Sequence, residues 1–312
     1  MSPPASVAAI IPVYNRPKVI LEAMNSVAAQ TVPPSCLLVV DDGSTDNTAV
    51  QVESWITQAK LPFPVRLLRQ ANAGAAVARN KGATEAGTSD VLAFLDSDDL
   101  WPKDFVDRVG EAFARHPELV AAACDRVNHD YATNRVEPHS YAHYNGAEHA
   151  AAIMFREGPP GTSGTAFRAS AFRQAGGFDA QWPTGQDYDL MLRISLLGPW
   201  RHLPGPPLTT RNHLEVLTGA GEPPLSRKYP DRAYRRVQML DRFITQLGGA
   251  AVVPKQCWRP HLGLLWMRAG CRLRELHRDA EALACFDRAL ELQPRAIKPR
   301  LFRFLLKVFR SR

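Results

Sequence analysis

The sequence predicts an α/β protein with an open, mostly parallel sheet flanked by helices, followed by an all-α extension. Over the first hundred residues, short apolar runs alternate with segments of helical periodicity. This alternation is typical of strands buried on both faces between covering helices. From about residue 226 the composition changes to Arg, Leu and Ala at helical spacing. We therefore expect an α/β domain over residues 1–225 and a helical extension over residues 226–312.

The first half is predicted to alternate strand and helix in a regular order. After Trp101 the pattern continues with a helix and a strand, and a less regular region rich in His, Tyr, Pro and Gly follows before one further amphipathic helix. The predicted strands are 7–13, 37–40, 65–68, 91–95 and 119–127, and the predicted helices are 17–29, 48–60, 75–86, 103–115 and 186–197.

Composition excludes several classes of protein. A chain of 312 residues with 45% hydrophobic content can bury a large core, so disorder is not expected. The five cysteines include no C-x-x-C pair, which argues against a disulfide framework or a zinc site and favours a reducing, cytoplasmic compartment. No basic region precedes the first apolar stretch, and no apolar run approaches the roughly 18 residues that span a bilayer. Neither a secretion signal nor a membrane span is expected.

The positive charge of the chain lies in its tail. Residues 226–312 hold 20 Lys and Arg against 7 Asp and Glu, whereas residues 1–225 hold 18 against 24. The predicted α/β domain is therefore acidic, and nucleic acid is not an expected partner.

Three polar clusters follow predicted strands, at the sheet edge where open α/β sheets bind ligands. They are Pro12-Val13-Tyr14-Asn15, Asp41-Asp42-Gly43-Ser44 and Asp96-Ser97-Asp98-Asp99. Carboxylates two residues apart, such as Asp96 and Asp98, can contact a divalent cation such as Mn or Mg together with a ribose. The alternative is that these acids cap the next helix or lie solvated in a turn.

Asp42 is a second candidate binding residue. Part of the polar run around it is structural, because Asp46 or Thr45 can cap the next helix. A carboxylate fixed at the sheet edge can accept a hydrogen bond from the imide N–H of uracil. Asp42 is therefore a candidate for recognising a uridine nucleotide.

Several spaced motifs together resemble family 2 glycosyltransferases of the GT-A fold. In order they are Pro12-Val13-Tyr14-Asn15-Arg16, Gln30-Thr31, Val40-Asp41-Asp42-Gly43-Ser44-Thr45-Asp46, Ala78-Arg79-Asn80-Lys81-Gly82 and Phe94-Leu95-Asp96-Ser97-Asp98-Asp99. The resemblance implies a nucleotide-sugar site in which Tyr14 packs against the base, Asp42 recognises it and Arg79 lies near the nucleotide. It also implies that Asp96 contacts the ribose and that Asp98 binds the metal. Pro12 and Ser97 belong to the same motifs and are included in the predicted nucleotide-sugar site. Tyr14 as a core aromatic and Arg79 as a solvated helix residue are the simpler alternatives.

The second half resembles the acceptor side of the same family. The matching segments are Gly161 to Arg168, Gly176-Gly177-Phe178-Asp179 and Gly185-Gln186-Asp187-Tyr188-Asp189-Leu190. In the family an acid that opens a helix acts as general base, which implies this role for Asp187. Gln186 stands where many relatives have Glu.

Two other interpretations bear on this segment. Asp187 can instead be a first-turn acid favoured by the helix dipole, with Thr184 as the cap. Asp189 is expected to be a helix-surface or packing residue of less importance.

The late motif Thr210-Arg211-Asn212-His213 resembles a family element whose histidine can complete metal coordination or touch the diphosphate. Neutral imidazole is a suitable Mn ligand, so His213 is a candidate metal ligand beside Asp98.

These roles imply an inverting, metal-dependent glycosyltransferase. The donor would be a nucleotide diphosphate sugar, with UDP favoured, and the acceptor a hydroxyl of a glycan or a lipid-linked glycan in polysaccharide, lipopolysaccharide or other glycoconjugate synthesis. A sugar nucleotidyltransferase is an alternative, but it needs a Gly-rich triphosphate loop that the residues after Tyr14 lack. A non-catalytic scaffold that binds partners through its tail is another.

The helical extension contains one segment, at about residues 263–296, that resembles a tetratricopeptide repeat. It matches at Trp266, Gly270, Leu273, Ala282, Phe286, Ala289 and Pro294. Such repeats need stacking neighbours. We expect those neighbours to be helices around 234–247 and 297–309.

The last segment, from Pro294 to Arg310, is basic, interleaved with Phe and Leu, and free of acids. It predicts an amphipathic terminal helix. This helix either caps the repeat with a solvated Arg face, contacts a protein partner, or lies peripherally on the inner face of an anionic membrane.

Overall fold

A computed structural model describes residues 3–212 and 228–309 of the chain. It confirms an α/β fold with a mostly parallel sheet and helices in the C-terminal region. The strands are β1 (Val7–Val13), β2 (Cys36–Asp41), β3 (Val65–Arg69), β4 (Val91–Phe94), β5 (Ala121–Asp130), β6 (Arg135–His139), β7 (Thr165–Arg168) and β8 (Trp200–Asn212). The helices are α1 (Val19–Ala28), α2 (Thr48–Gln58), α3 (Ala75–Glu85), α4 (Phe105–Arg115), α5 (Ala150–Glu157), α6 (Ala169–Gln174), α7 (Gln186–Ser195), α8 (Arg232–Thr245), α9 (Lys255–Glu275), α10 (Asp279–Leu292) and α11 (Ile297–Phe309).

The strands form one mixed sheet in the order β3-β2-β1-β4-β7-β5-β6, with β8 beside β5. Strands β3, β2, β1 and β4 are parallel neighbours, and β7 pairs antiparallel with both β4 and β5. Strand β5 therefore runs in the same direction as β4. As a result, the carboxyl ends of β1, β2, β4 and β5 lie along one edge.

Two hydrophobic clusters cover the two faces of this sheet. Successive residues of β1 alternate between them, with Ala8 and Ile10 in one cluster and Val7, Ala9 and Ile11 in the other. The alternation follows from the two-residue period of a strand. It explains why β1 is an unbroken apolar run without polar residues.

Strands β6, β7 and β8 lie in the region that has no regular pattern in the sequence. Strand β8 contains Pro204, Pro206 and Pro207, and its register with β5 shifts between Cys124 and Arg126. A bulge accommodates prolines that cannot donate ladder hydrogen bonds. The sequence signal for a strand is weak here for that reason.

The C-terminal helices pack against the α/β part of the chain. Val237, Leu240 and Phe243 of α8 lie in the same hydrophobic cluster as Phe155 of α5 and Phe167 of β7. The rings of Phe155 and Phe243 are 6.4 Å apart. Helices α8 to α11 therefore share a core with one face of the sheet.

Within the extension, α9 and α10 pack closely at the positions that resemble a tetratricopeptide repeat. A Cβ on Gly270 would lie 2.6 Å from the Phe286 ring, so only glycine allows this approach. Trp266 contacts Tyr234 of α8 edge to face, and Phe302 of α11 stacks on Phe286. The expected neighbours on either side are therefore present. No helix within residues 3–212 and 228–309 is long and apolar enough to cross a bilayer.

Candidate functional site

The turn after β4 presents two carboxylates at the carboxyl edge of the sheet, and each faces an arginine. The Asp96 carboxylate is 2.5 Å from the Arg79 guanidinium, and the Asp98 carboxylate contacts the Arg16 guanidinium. The side chains of Asp96 and Asp98 remain 37% and 25% exposed, so a ligand can reach both. Ser97, between them, is buried.

A third carboxylate fixes this turn from inside. Asp99 is buried and accepts hydrogen bonds from Ser163 Oγ at 2.5 Å and from the Arg211 backbone N–H at 3.2 Å. Burial, followed by the nearby charges of Asp96 and Asp98, raises the pKa of Asp99 well above its ordinary value. Trp101 also stabilises the turn, because its indole N–H donates a hydrogen bond to the Ser163 carbonyl at 2.7 Å.

Arg211 holds the outer side of the same turn. Arg211 is buried. Its guanidinium donates a hydrogen bond to the Asp98 carbonyl and contacts the Glu22 carboxylate. A backbone bridge between Leu100 and Thr209 joins the turn to β8. Arg211 therefore has a positioning role that its motif did not indicate. The histidine of the same motif, His213, lies outside the described residues.

The turn after β1 is fixed to the turn after β2. Pro12 is buried in β1, and Tyr14 is half-buried just beyond the end of the strand. Asn15 has a φ of 49°, a conformation that asparagine tolerates better than most residues. Its side chain accepts from the Thr45 N–H, while its own N–H donates to Ser44 Oγ, both at 2.9 Å.

Asp42 is 4% exposed and is already bonded within the protein. Its carboxylate accepts hydrogen bonds from the Gln70 side chain and from the backbone N–H groups of Ala73 and Gly74, each at 2.8 Å. Asp42 therefore fixes the loop that leads into α3. The sequence did not reveal this structural role.

Helix α3 connects the strand-end motifs of the first half to the second half of the chain. Arg79 is buried, reaches Asp96 and lies over the Phe178 ring, 5.3 Å from its centroid, so it is not the solvated residue of the alternative interpretation. Asn80 donates to the Phe178 carbonyl and accepts from the Phe178 N–H, both at 2.8 Å. Gly82 lets the helix approach β1, since a Cβ there would lie 2.4 Å from Ile10 Cγ2.

Asp187 lies in the first turn of α7 and is partly exposed. The Tyr188 N–H donates to its Oδ1 at 2.9 Å. Gly185, in a left-handed conformation, is the N-cap residue, and no side chain caps the helix. The proposed Thr184 cap was therefore wrong. Phe178, nine residues before Asp187 in the chain, contacts both Arg79 and Asn80, so this loop lies beside α3.

Asp189 is a buried packing residue, which is one of the two roles expected of it from the sequence. It is 2% exposed and pairs with Arg193 at 2.6 Å. Arg193 in turn donates to the carbonyl groups of Ala175 and Gly177. Arg242 of α8 lies 3.3 Å from Asp179 and 3.9 Å from Asp189, so the extension contributes to this support.

The carboxylate oxygens of the β4 turn are suitable ligands for a small divalent cation. Within residues 3–212 and 228–309, no group of three or more His, Cys, Asp and Glu side chains is arranged to hold a metal. Mg²⁺ is commonly held by one or two carboxylates together with substrate phosphates, and such a site needs no all-protein cage. Asp98, with Asp96 beside it, meets that requirement. A cation there would have to compete with the Arg16 guanidinium for Asp98.

Sequence reasoning missed several residues that build this site, namely Arg16, Glu22, Asn80, Ser163 and Arg211. Four of them lie inside or beside the quoted motifs, and that position was the only feature of the sequence that could have identified them. Glu22 is an ordinary helix-surface residue by its sequence context.

Comparisons with known proteins agree with this geometry. The family model described as glycosyl transferase family 2 matches residues 8–176. An uncharacterized glycosyltransferase of Haemophilus influenzae is 27% identical over 192 residues, which cover 59% of this chain and 60% of that protein. An uncharacterized glycosyltransferase of Nostoc sp. is 39% identical over 107 residues, which cover 34% of this chain and 32% of that protein. The chain thus spans a third or less of the length of several curated relatives that it matches.

Solved structures show the same fold at low sequence identity. Residues 1–349 of S. aureus TarS match with a TM-score of 0.65 and 17% identity, covering 93% of this chain and 81% of that one. The mannosyltransferase PcManGT from Pyrobaculum calidifontis, solved with GDP-Man and Mn²⁺, matches with a TM-score of 0.60 and 19% identity, covering 100% of this chain and 83% of that one.

Proposed function

The chain belongs to glycosyltransferase family 2, and from this premise we propose that it transfers a sugar from a nucleotide diphosphate donor to an acceptor hydroxyl with inversion at the anomeric carbon. UDP-sugars are the favoured donors, and a glycan or lipid-linked glycan is the acceptor. The observation that carries the proposal is the pair of partly exposed carboxylates, Asp96 and Asp98, each facing an arginine at the carboxyl edge of the sheet.

The chemistry of such a donor explains why both signs of charge meet there. The leaving group is a nucleoside diphosphate, so negative charge accumulates on the phosphates as the glycosidic bond breaks. Arg16 and Arg79, the cations beside the two carboxylates, would stabilise that charge. A divalent metal, Mn or Mg, held by Asp98 with His213 as the further candidate ligand would neutralise more of it. Asp96 would bind the ribose.

Asp187 is the proposed general base. A partly exposed carboxylate at a helix N-terminus can accept a proton from the attacking acceptor hydroxyl. One in-line displacement gives one inversion. Tyr14 and Asp42 would contact the base. Asp42 would accept a hydrogen bond from the base in addition to the three that it already accepts, and it would also act through the loop that it fixes.

Similar proteins support the nucleotide-sugar and metal parts of this proposal. TarS 1–349 has been crystallised in complex with UDP and with UDP-GlcNAc, and GalNAc-T7 with UDP, GalNAc and Mn²⁺. Their sequence identities to this chain are below 20%, so the donor has to be measured.

A donor panel tests the function directly. The full chain is incubated with UDP-, GDP- and dTDP-sugars, with Mn²⁺ or with a chelator, and thermal unfolding and nucleotide release are recorded. We expect one nucleotide class to raise the melting temperature, because ligands that bind the folded state stabilise it. Release of UDP would support a transferase, whereas formation of a nucleotide-sugar from UTP would support a nucleotidyltransferase. No response to any donor would contradict the proposal.

A further inference from the structure

The terminal helix α11 exposes a row of large apolar side chains. Ile297, Leu301 and Phe304 are 78%, 51% and 62% exposed. Residues spaced by four and three lie on one face of a helix. The three side chains therefore form a continuous apolar stripe, which we call the outer row.

The opposite face of α11 fixes the helix to the protein. Phe302 stacks on Phe286 of α10 with ring centroids 5.8 Å apart, and Leu306 is buried. Arg274 lies over the Phe302 ring, and Arg303 contacts the Asp287 carboxylate. The orientation of the outer row toward solvent is therefore set by these contacts.

Capping of the helical stack does not account for the outer row. A helix that ends a repeat stack covers its neighbour with one apolar face and turns a polar face to water. Phe302 and Leu306 already provide the covering face. A capping role predicts polar residues at 297, 301 and 304, where the chain has Ile, Leu and Phe.

Cations border the outer row on both sides. With 100° between successive residues, Lys298 lies on one side of the row and Arg300 on the other, and both are exposed. From Pro294 to Arg312 the sequence contains seven Lys and Arg and no Asp or Glu. An apolar stripe with a cation on either side is complementary to a surface with acyl chains below and negative head groups above.

We propose that α11 binds the surface of an anionic lipid bilayer. The outer row lies among the upper parts of the acyl chains, and Lys298 and Arg300 reach the lipid phosphates. The charge decides between a membrane and a protein partner, because a segment that contains cations and no acid of its own fits a uniformly negative sheet of head groups. The helix lies in the plane of the membrane and does not cross it.

Sedimentation with lipid vesicles tests this surface in the full-length chain. The probes are vesicles of phosphatidylglycerol with phosphatidylcholine, and vesicles of phosphatidylcholine alone. We expect binding to the anionic vesicles that weakens as salt is added, and little binding to the neutral ones. The double variant Leu301→Asp, Phe304→Asp should lose about tenfold or more of that binding. Lys298→Gln and Arg300→Gln should each lose about fivefold.

A matched control carries the same two new charges elsewhere. Val50 and Val136 are exposed apolar residues outside the extension, at 59% and 60% exposure. The double variant Val50→Asp, Val136→Asp should bind anionic vesicles as the unchanged chain does. All variants should keep the thermal unfolding midpoint of the unchanged chain, since every mutated side chain is exposed.

Three outcomes would overturn the proposal. The unchanged chain fails to sediment with anionic vesicles, or the Leu301→Asp, Phe304→Asp variant sediments equally well. In the third outcome, the Leu301→Asp, Phe304→Asp variant binds vesicles as before but has a lower mass in solution by light scattering. That result would mean that the outer row contacts a second copy of the chain.

Discussion

The guanidinium of Arg16, just beyond β1, contacts the carboxylate of Asp98, just beyond β4. The candidate metal ligand is therefore neutralised by a cation that lies 82 residues away in the sequence. A divalent ion bound at Asp98, as proposed, would compete with this arginine for the carboxylate. A displaced Arg16 would then be free to contact a phosphate of the proposed donor.

Asp98→Ala should weaken donor binding only when a metal is present. We expect the Kd for the preferred nucleotide-sugar to rise by about tenfold or more in Mn²⁺ and to change little in a chelator, because the lost carboxylate acts through the ion. Isothermal titration in both buffers measures this. Glu111→Ala, which removes an exposed carboxylate on α4, is the control. Equal affinity of the unchanged chain in both buffers would refute the metal assignment.

Asp187→Asn should abolish transfer and leave donor binding intact. The amide keeps the size of the side chain but cannot take the proton from the acceptor, so only the transition state loses an interaction. We expect kcat to fall by about a hundredfold or more, measured as nucleotide release with acceptor present. Full activity in this variant would remove Asp187 from the mechanism.

Asp189→Asn, the same change two residues later, should act on stability. Asp189 is buried against Arg193, so its loss leaves a largely buried cation without its counter-charge. We expect the free energy of unfolding to fall by about 3 kcal/mol, measured by urea denaturation. Asp187→Asn is the matched control, since its partly exposed carboxylate has no such partner among the contacts described for α7. A stable but inactive Asp189→Asn protein would instead point to a direct role in catalysis.

Phe243→Ala should destabilise the whole chain in one transition. Phe243 of α8 is 1% exposed and packs in the cluster that also covers one face of the sheet. Deleting a buried phenylalanine costs about 3 to 5 kcal/mol. Leu264→Ala, at a 39% exposed position of α9, is the control and should have little effect. Two separate thermal transitions, of which only one shifts, would show that the extension folds independently.

Gly82→Ala should also be destabilising, although alanine is the better helix former. The gain in helix propensity is about 1 kcal/mol. The added Cβ would lie 2.4 Å from Ile10 Cγ2, and overpacking of a core costs about 1 to 3 kcal/mol. We expect the overlap to outweigh the propensity and to lower the unfolding midpoint, with Thr84→Ala on the exposed face of α3 as the control. A midpoint that rises would mean that α3 can move away from β1.

The order of elements in the first half followed from local sequence. Buried parallel strands are continuous apolar runs, and their helices have a different period, so β1 to β4 and α1 to α4 were predicted within a few residues. Strands β6 to β8 were not, because β6 is mostly exposed and β8 contains prolines and a bulge. In those strands, pairing with distant segments determines the structure more than the local pattern does.

The sequence by itself determined which strand ends carry carboxylates, because the direction of parallel strands sends those ends to one edge of the sheet. Only the tertiary structure decided how each carboxylate is used. Asp42 fixes a loop, Asp99 is buried under its turn, and Asp96 and Asp98 stay accessible beside Arg79 and Arg16. A charged side chain looks the same in the sequence whether it is buried or exposed. Its surroundings come from residues tens to hundreds of positions away, and those are set only when the chain has folded.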